Sequence, residues 1–190
     1  SEVSILTISG HLPPIYSEAD FEVTKREALN SYEELGIKDF QFAKIPATFI
    51  HQEPISKINK LISDFIEARS PDAVFIPFPD RHIDHRTIFD SSVVACRPVS
   101  KSYPKLVLTY ETLSETHWNV PGIEPYFSPD YFIDISNNIN QKLNALSKYK
   151  SQLIGNESRS IESCKALAKF RGSQNGCLYA EAFKLVRSII

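Results

Sequence analysis

Methionine is absent from all 190 residues, including position 1, and tryptophan occurs once, at Trp118. The chain also opens without delay on an apolar, β-branched run at residues 3–8. Both features lead us to expect a further element encoded upstream of Ser1. Cysteine is equally sparse: Cys96, Cys164 and Cys177 form no CxxC pair, which argues against a disulfide framework and against a cysteine zinc site. Long apolar runs are missing too. None approaches the roughly 18 residues of a bilayer span, and the opening SEVSILTISG has no charged segment followed by a long apolar one. The expectation is a cytoplasmic protein with no membrane span. Finally, the formal net charge is -2 with both signs scattered, so no basic stripe awaits a phosphate backbone and nucleic acid is not expected as a partner.

What is present fits one soluble domain over 1–190. Hydrophobic residues make up 42% and charged ones 23%, an ordinary globular balance. The run at 3–8 reads as a strand buried on both faces and closed by Ser9-Gly10. After Pro13-Pro14, Phe21, Ala28, Leu29, Tyr32 and Leu35 recur at helical spacing up to the natural stop at Gly36. A strand is expected at 39–45. Residues 55–68 place Ile55, Ile58, Leu61, Ile62, Phe65 and Ile66 on one helical face, and a strand at 73–77 follows at once. This order predicts an α/β, Rossmann-like fold with a mostly parallel sheet flanked by helices. Further on, a helix is expected over 85–95, strands at 106–110 and 131–135, one helix over 139–153, and an interrupted helical region over 160–190.

The densest chemistry lies in Pro79-Asp80-Arg81-His82-Ile83-Asp84-His85-Arg86, directly after the strand ending Phe75-Ile76-Pro77. Open α/β sheets bind ligands at that carboxyl edge. Two imidazoles and two carboxylates can supply part of a zinc site, which usually takes three protein ligands and a water, or a histidine oriented by a carboxylate for acid–base work. A solvated loop of local ion pairs is the plainer reading of the same residues. His11, His51 and His117 have no such neighbourhood and read as structural or solvent-facing. Tyr110, Trp118, Tyr126, Phe127 and Tyr131 gather around a long loop, where they can stack on a sugar face or serve a core or a subunit interface. A homo-oligomer is compatible with the second use.

The stretch PDAVFIPFPDRHIDHRTIFDSSVVACRP resembles the second metal motif of the LmbE/PIG-L deacetylases, a hydrophobic strand followed by H-x-D-H. EALNSYEELG at 27–36, Tyr149-Lys150-Ser151-Gln152 and RGSQNGCLYAEAF at 171–183 are similar to other family segments, in the same order. The resemblance implies a Zn2+-dependent hydrolase that removes the acetyl group from an N-acetylglucosamine-type sugar conjugate, with a small amino-sugar substrate. It implies that His85 is a zinc ligand and that His82, oriented by Asp84, steadies the oxyanion and serves the leaving amine. The family's first motif, of A-H-P-D-D-E type, is absent from these residues. So is its helix arginine, replaced by Thr24 with Arg26 offset by two, and an acidic residue at Ala47-Thr48. The domain is thus expected to lack its first strand and first metal motif. A relative without catalysis that binds a sugar or a partner, and a metal-dependent phosphoesterase, are the alternatives. No substrate-binding residue is assigned.

Overall fold

The computed structural model describes residues 2–99, 102–155 and 157–190. Its elements are β1 (Ser4–Gly10), α1 (Glu18–Leu35), β2 (Asp39–Pro46), α2 (Ile55–Arg69), β3 (Ala73–Pro77), α3 (Ile83–Ala95), β4 (Leu106–Tyr110), β5 (Tyr131–Asp134), α4 (Ile139–Leu146), α5 (Lys150–Leu153), α6 (Ile161–Ser173) and β6 (Ala180–Ser188). They form two compact units, each drawn from two stretches of chain.

The first unit takes residues up to Ala47 together with Phe132–Glu181. Here β1 and β2 pair in parallel, Ile5 opposite Phe40 and Thr7 opposite Phe42. Helix α1 starts where Ser17 and Asp20 cap each other reciprocally and stops where Gly36 turns left-handed at φ 72°. It buries Phe21, Ala28 and Tyr32, and the Tyr32 hydroxyl lies 3.1 Å from Thr7 Oγ1 on β1. Helix and strand come so close that a Cβ on Gly10 would sit 2.7 Å from the Phe21 ring. Helix α4 packs on α1 and α6.

The second unit takes Thr48–Tyr131 and Ala182–Ile190. Strands β3 and β4 pair in parallel from Ala73 opposite Leu106 to Pro77 opposite Tyr110, and β4 pairs antiparallel with β6. Val107 and Leu108 at the centre are 1% and 0% exposed. Helix α2 turns Ile58, Ile62 and Ile66 inward and packs against α3. Cys96 is buried there, and burial pushes its thiol up to about 11, which makes it a packing residue and not a nucleophile.

Three expectations need correction. Residues 180–188 form strand β6, because Phe183 to Ser188 find an antiparallel ladder on β4 that overrides weak helical spacing. That strand makes the sheet mixed: an α/β fold with parallel elements and an antiparallel member. The helix expected over 139–153 is two, α4 and α5, separated at Ser147–Tyr149. Strand β1 is not buried throughout: only Ile8 is, because β1 has a single described partner strand. Strand β3 is likewise the edge of its sheet and leaves Phe75 46% exposed. Among the described residues no helix is long and apolar enough to cross a membrane.

Candidate active site

Strand β3 delivers the chain to Phe78, whose N–H still bonds the Tyr110 carbonyl at 3.0 Å and whose ring packs edge-on against Phe127 at 5.1 Å. Two residues later Asp80 is 2% exposed. An ionised carboxylate is tolerated there only if donors surround it, and three do. Its Oδ1 accepts the His82 N–H at 3.0 Å and His85 Nδ1–H at 2.8 Å. Its Oδ2 accepts the Thr116 hydroxyl at 2.9 Å. Burial pushes the Asp80 carboxyl up, yet the bonds from His85, His82 and Thr116 outweigh it and hold the group below the usual range.

His82 caps α3. Its Nδ1 accepts the Asp84 N–H at 3.2 Å, a task usually left to Ser, Thr, Asp or Asn. His85, three residues on, lies on the same helical face, and the two rings stack with centroids 4.7 Å apart and planes at 24°. Their hydrogens are fixed in opposite senses. Nδ1 of His82 accepts, so its proton sits on Nε2, whereas Nδ1 of His85 faces a carboxylate that only accepts, so its proton sits on Nδ1 and Nε2 keeps a lone pair. One ring offers a donor and its neighbour an acceptor.

Asp84 does not orient His82 through its carboxylate, contrary to expectation. Residues i and i+2 on a helix do not face each other. The Asp84 side chain, 2% exposed, instead accepts the Thr48 N–H through Oδ2 at 2.8 Å, and only its main-chain N–H serves His82. Thr48 is left-handed at φ 70°, a strained state for a β-branched residue, and Asp84 Oδ1 is buried with no hydrogen-bond partner among the described residues.

The loop over 112–130 is tied to this histidine turn. Besides the Thr116 bond, Arg81 reaches Glu124 at 3.1 Å, and Glu124 also accepts the Val120 N–H at 2.7 Å. The aromatic residues expected there divide: Phe127 is core at 3% exposure, while Trp118 and Tyr126 stand 70% and 78% exposed. Of the remaining histidines, His117 Nε2 pairs with Glu111 at 3.1 Å, His51 is exposed, and His11 stacks on Tyr16. Asp80 was within reach of sequence reasoning, being inside the run already singled out. Thr116 carries no local signal, since it arrives from 36 residues away.

His85 suits one position in a zinc site: a free Nε2 backed by a carboxylate on Nδ1 is the usual arrangement of a ligating histidine. A catalytic zinc takes three protein ligands. Among the described residues no three His, Cys, Asp or Glu side chains come together to hold a metal. The residues present fit one corner of such a site and not the whole.

Residues 9–96, which include the last two residues of β1 and all of α1 through α3 with both His82 and His85, match the family model for GlcNAc-PI de-N-acetylase, PIG-L. The match covers somewhat less than half of the chain, and over that stretch the chain is similar to the PIG-L (LmbE-like) family. Solved structures agree on the fold. A conserved protein from Thermus thermophilus is 21% identical with a TM-score of 0.75, over 98% of this chain and 83% of that one. The N,N'-diacetylchitobiose deacetylase of Pyrococcus horikoshii is 19% identical with a TM-score of 0.73, over 97% and 73%. GalB, the 4-carboxy-2-hydroxymuconate hydratase of Pseudomonas putida, is 15% identical with a TM-score of 0.75, over 100% and 98%. The same fold therefore occurs in a deacetylase and in a hydratase, and the choice between reactions falls to the site.

Proposed function

We propose that this chain serves a zinc-dependent hydrolase that removes the N-acetyl group from an N-acetylglucosamine-type sugar conjugate. The observation that carries the reading is the pair of stacked, half-buried imidazoles with opposite tautomers on one turn. The family model's own description and the diacetylchitobiose deacetylase among the structural neighbours support an acetamide on an amino sugar as the reacting group.

Each residue has a distinct task. His85 offers its Nε2 lone pair as one zinc ligand, with Asp80 holding the ring. Zinc, when bound, polarises a carbonyl and makes hydroxide available near neutral pH. His82 presents Nε2–H as a donor to an acetamide oxygen while that oxygen gains charge. Asp84 acts on the turn itself: its N–H fixes the His82 ring and its carboxylate fixes Thr48.

The test uses the protein expressed from its complete coding sequence. Acetate release from diacetylchitobiose and from N-acetylglucosamine conjugates is expected, with zinc bound, and both are expected to be lost in His85→Ala. Zinc content unchanged in that variant would remove His85 from the ligand set. Turnover of phosphate esters without acetate release from any of these amides would replace the deacetylase with a phosphoesterase.

A further inference from the structure

The buried hydroxyl of Thr116 has no place in the H-x-D-H motif and no role yet. It is 3% exposed and sits on a turn of the 112–130 loop, far in sequence from the histidines. Its one proton points to Asp80 Oδ2 at 2.9 Å, while its oxygen accepts the Thr112 N–H at 2.8 Å. Neither partner allows the roles to be reversed: a carboxylate only accepts and an amide N–H only donates. The hydroxyl is thus a directional link from the loop backbone to the carboxylate. Asp80 in turn holds His85 through its other oxygen. Once Oδ2 is pinned, the carboxylate cannot swing about its bond to Cβ, and the direction of the bond to His85 is set.

We propose that Thr116 is a positioning residue: through Asp80 it aims the Nε2 lone pair of His85. The 112–130 loop thereby controls the site although it supplies no member of the histidine motif. The inference rests on the assignment of His85 as a ligand for its functional meaning, and not for its geometry. The loop has further attachments, among them Arg81 to Glu124, Phe78 to Phe127 and the Leu185 N–H to Asp130, so loss of the hydroxyl does not by itself release it. The exposed Arg81–Glu124 pair adds little stability and serves as the control.

Nuclear magnetic resonance of the His85 ring tests this without any turnover. The wild type is expected to show a single Nδ1-protonated tautomer with a slowly exchanging proton. In Thr116→Val that proton should exchange about tenfold faster, the scale of one lost hydrogen bond to a charged group. Thr116→Ser should restore it, and Glu124→Gln should leave it unchanged. Thr116→Ala, which removes the same hydroxyl without adding a methyl, is read in the same way. Unchanged His85 exchange in a folded Thr116→Val protein would overturn the proposal, as would collapse of the fold in both the Val and the Ala variants, which would assign Thr116 to the core. A His85 response in a protein that cleaves no acetamide would leave the positioning role standing and remove the deacetylase reading alone.

Discussion

Two loops of this molecule leave the carboxyl end of a parallel strand and carry histidine, and they differ in what lies beneath the ring. After β1 comes His11, stacked on Tyr16 with centroids 4.0 Å apart and planes at 11°. Burial holds its imidazole below the ordinary value against the pull of Asp20, Arg159 adds to the lowering, and Glu27 opposes it. Among the described residues no buried carboxylate bonds its ring to fix which nitrogen carries the proton. After β3 come His82 and His85, whose protons are placed by a helix N-terminus and by Asp80. Position at the edge of a sheet brings a histidine to where ligands bind, but only a fixed proton gives it a chemical role. The contrast also separates the two imidazoles of the turn from each other, since one donates and one accepts.

The comparison breaks first at His82. His82→Ala should lower kcat by about 10² or more while zinc stays bound, the usual scale for a group that acts on the reacting atoms. Wild-type turnover in that variant would refute its role. Asp80→Asn comes next. An amide at position 80 still accepts from His85 or from Thr116 but loses the charge that orders the set, so zinc affinity should fall about 10- to 100-fold, the range for partners of metal-bound histidine. Affinity equal to wild type, measured by competition with a chelator, would show that Asp80 serves only the fold.

His11→Asn sharpens the other side, with the smallest effect. Turnover should stay within about twofold, because no hydrogen bond of the histidine turn is touched. The pH dependence of stability should change instead. A histidine whose folded value is lowered contributes stability that is present above its unfolded value of about 6.5 and is lost as pH falls through the folded value. The wild type should therefore lose more of its denaturant midpoint between neutral pH and about pH 5 than His11→Asn does. Equal losses in the two proteins would show that His11 titrates alike in both states.

Much of this could be read from residue order. The strands at 73–77 and 106–110 stand where apolar runs between breakers put them, and Gly36 ends α1 because only a residue at ease with positive φ closes that helix cheaply. The H-x-D-H run puts both histidines just past the carboxyl end of the strand at 73–77, and the structure starts α3 two residues earlier than expected, at Ile83, with His82 as its cap. What escaped was non-local. Strand status for 180–188 depends on the ladder that β4 offers, and the burial of Asp80 depends on a hydroxyl from another loop. The family resemblance pairs Asp84 with its sequence neighbour His82, whereas helix geometry turns its carboxylate to Thr48. Short-range pattern singled out the run that holds Asp80, His82, Asp84 and His85, and long-range packing decided whom each one touches.

The interleaving of the two units bears on how the chain is made. Thr48–Tyr131 leaves the ribosome with β3 and β4 able to pair, but the antiparallel neighbour of β4 is not synthesised until all of Phe132–Glu181 has emerged. The first unit waits in the same way, since the helices that cover α1 follow the whole of the second unit's long segment. Neither core closes domain by domain during translation, and both depend on contacts of high sequence separation, the slow kind. A nascent chain stalled before Ala180 would hold β4 with one side open, exposing Val107 and Leu108 to other chains at the stage when aggregation competes best with folding.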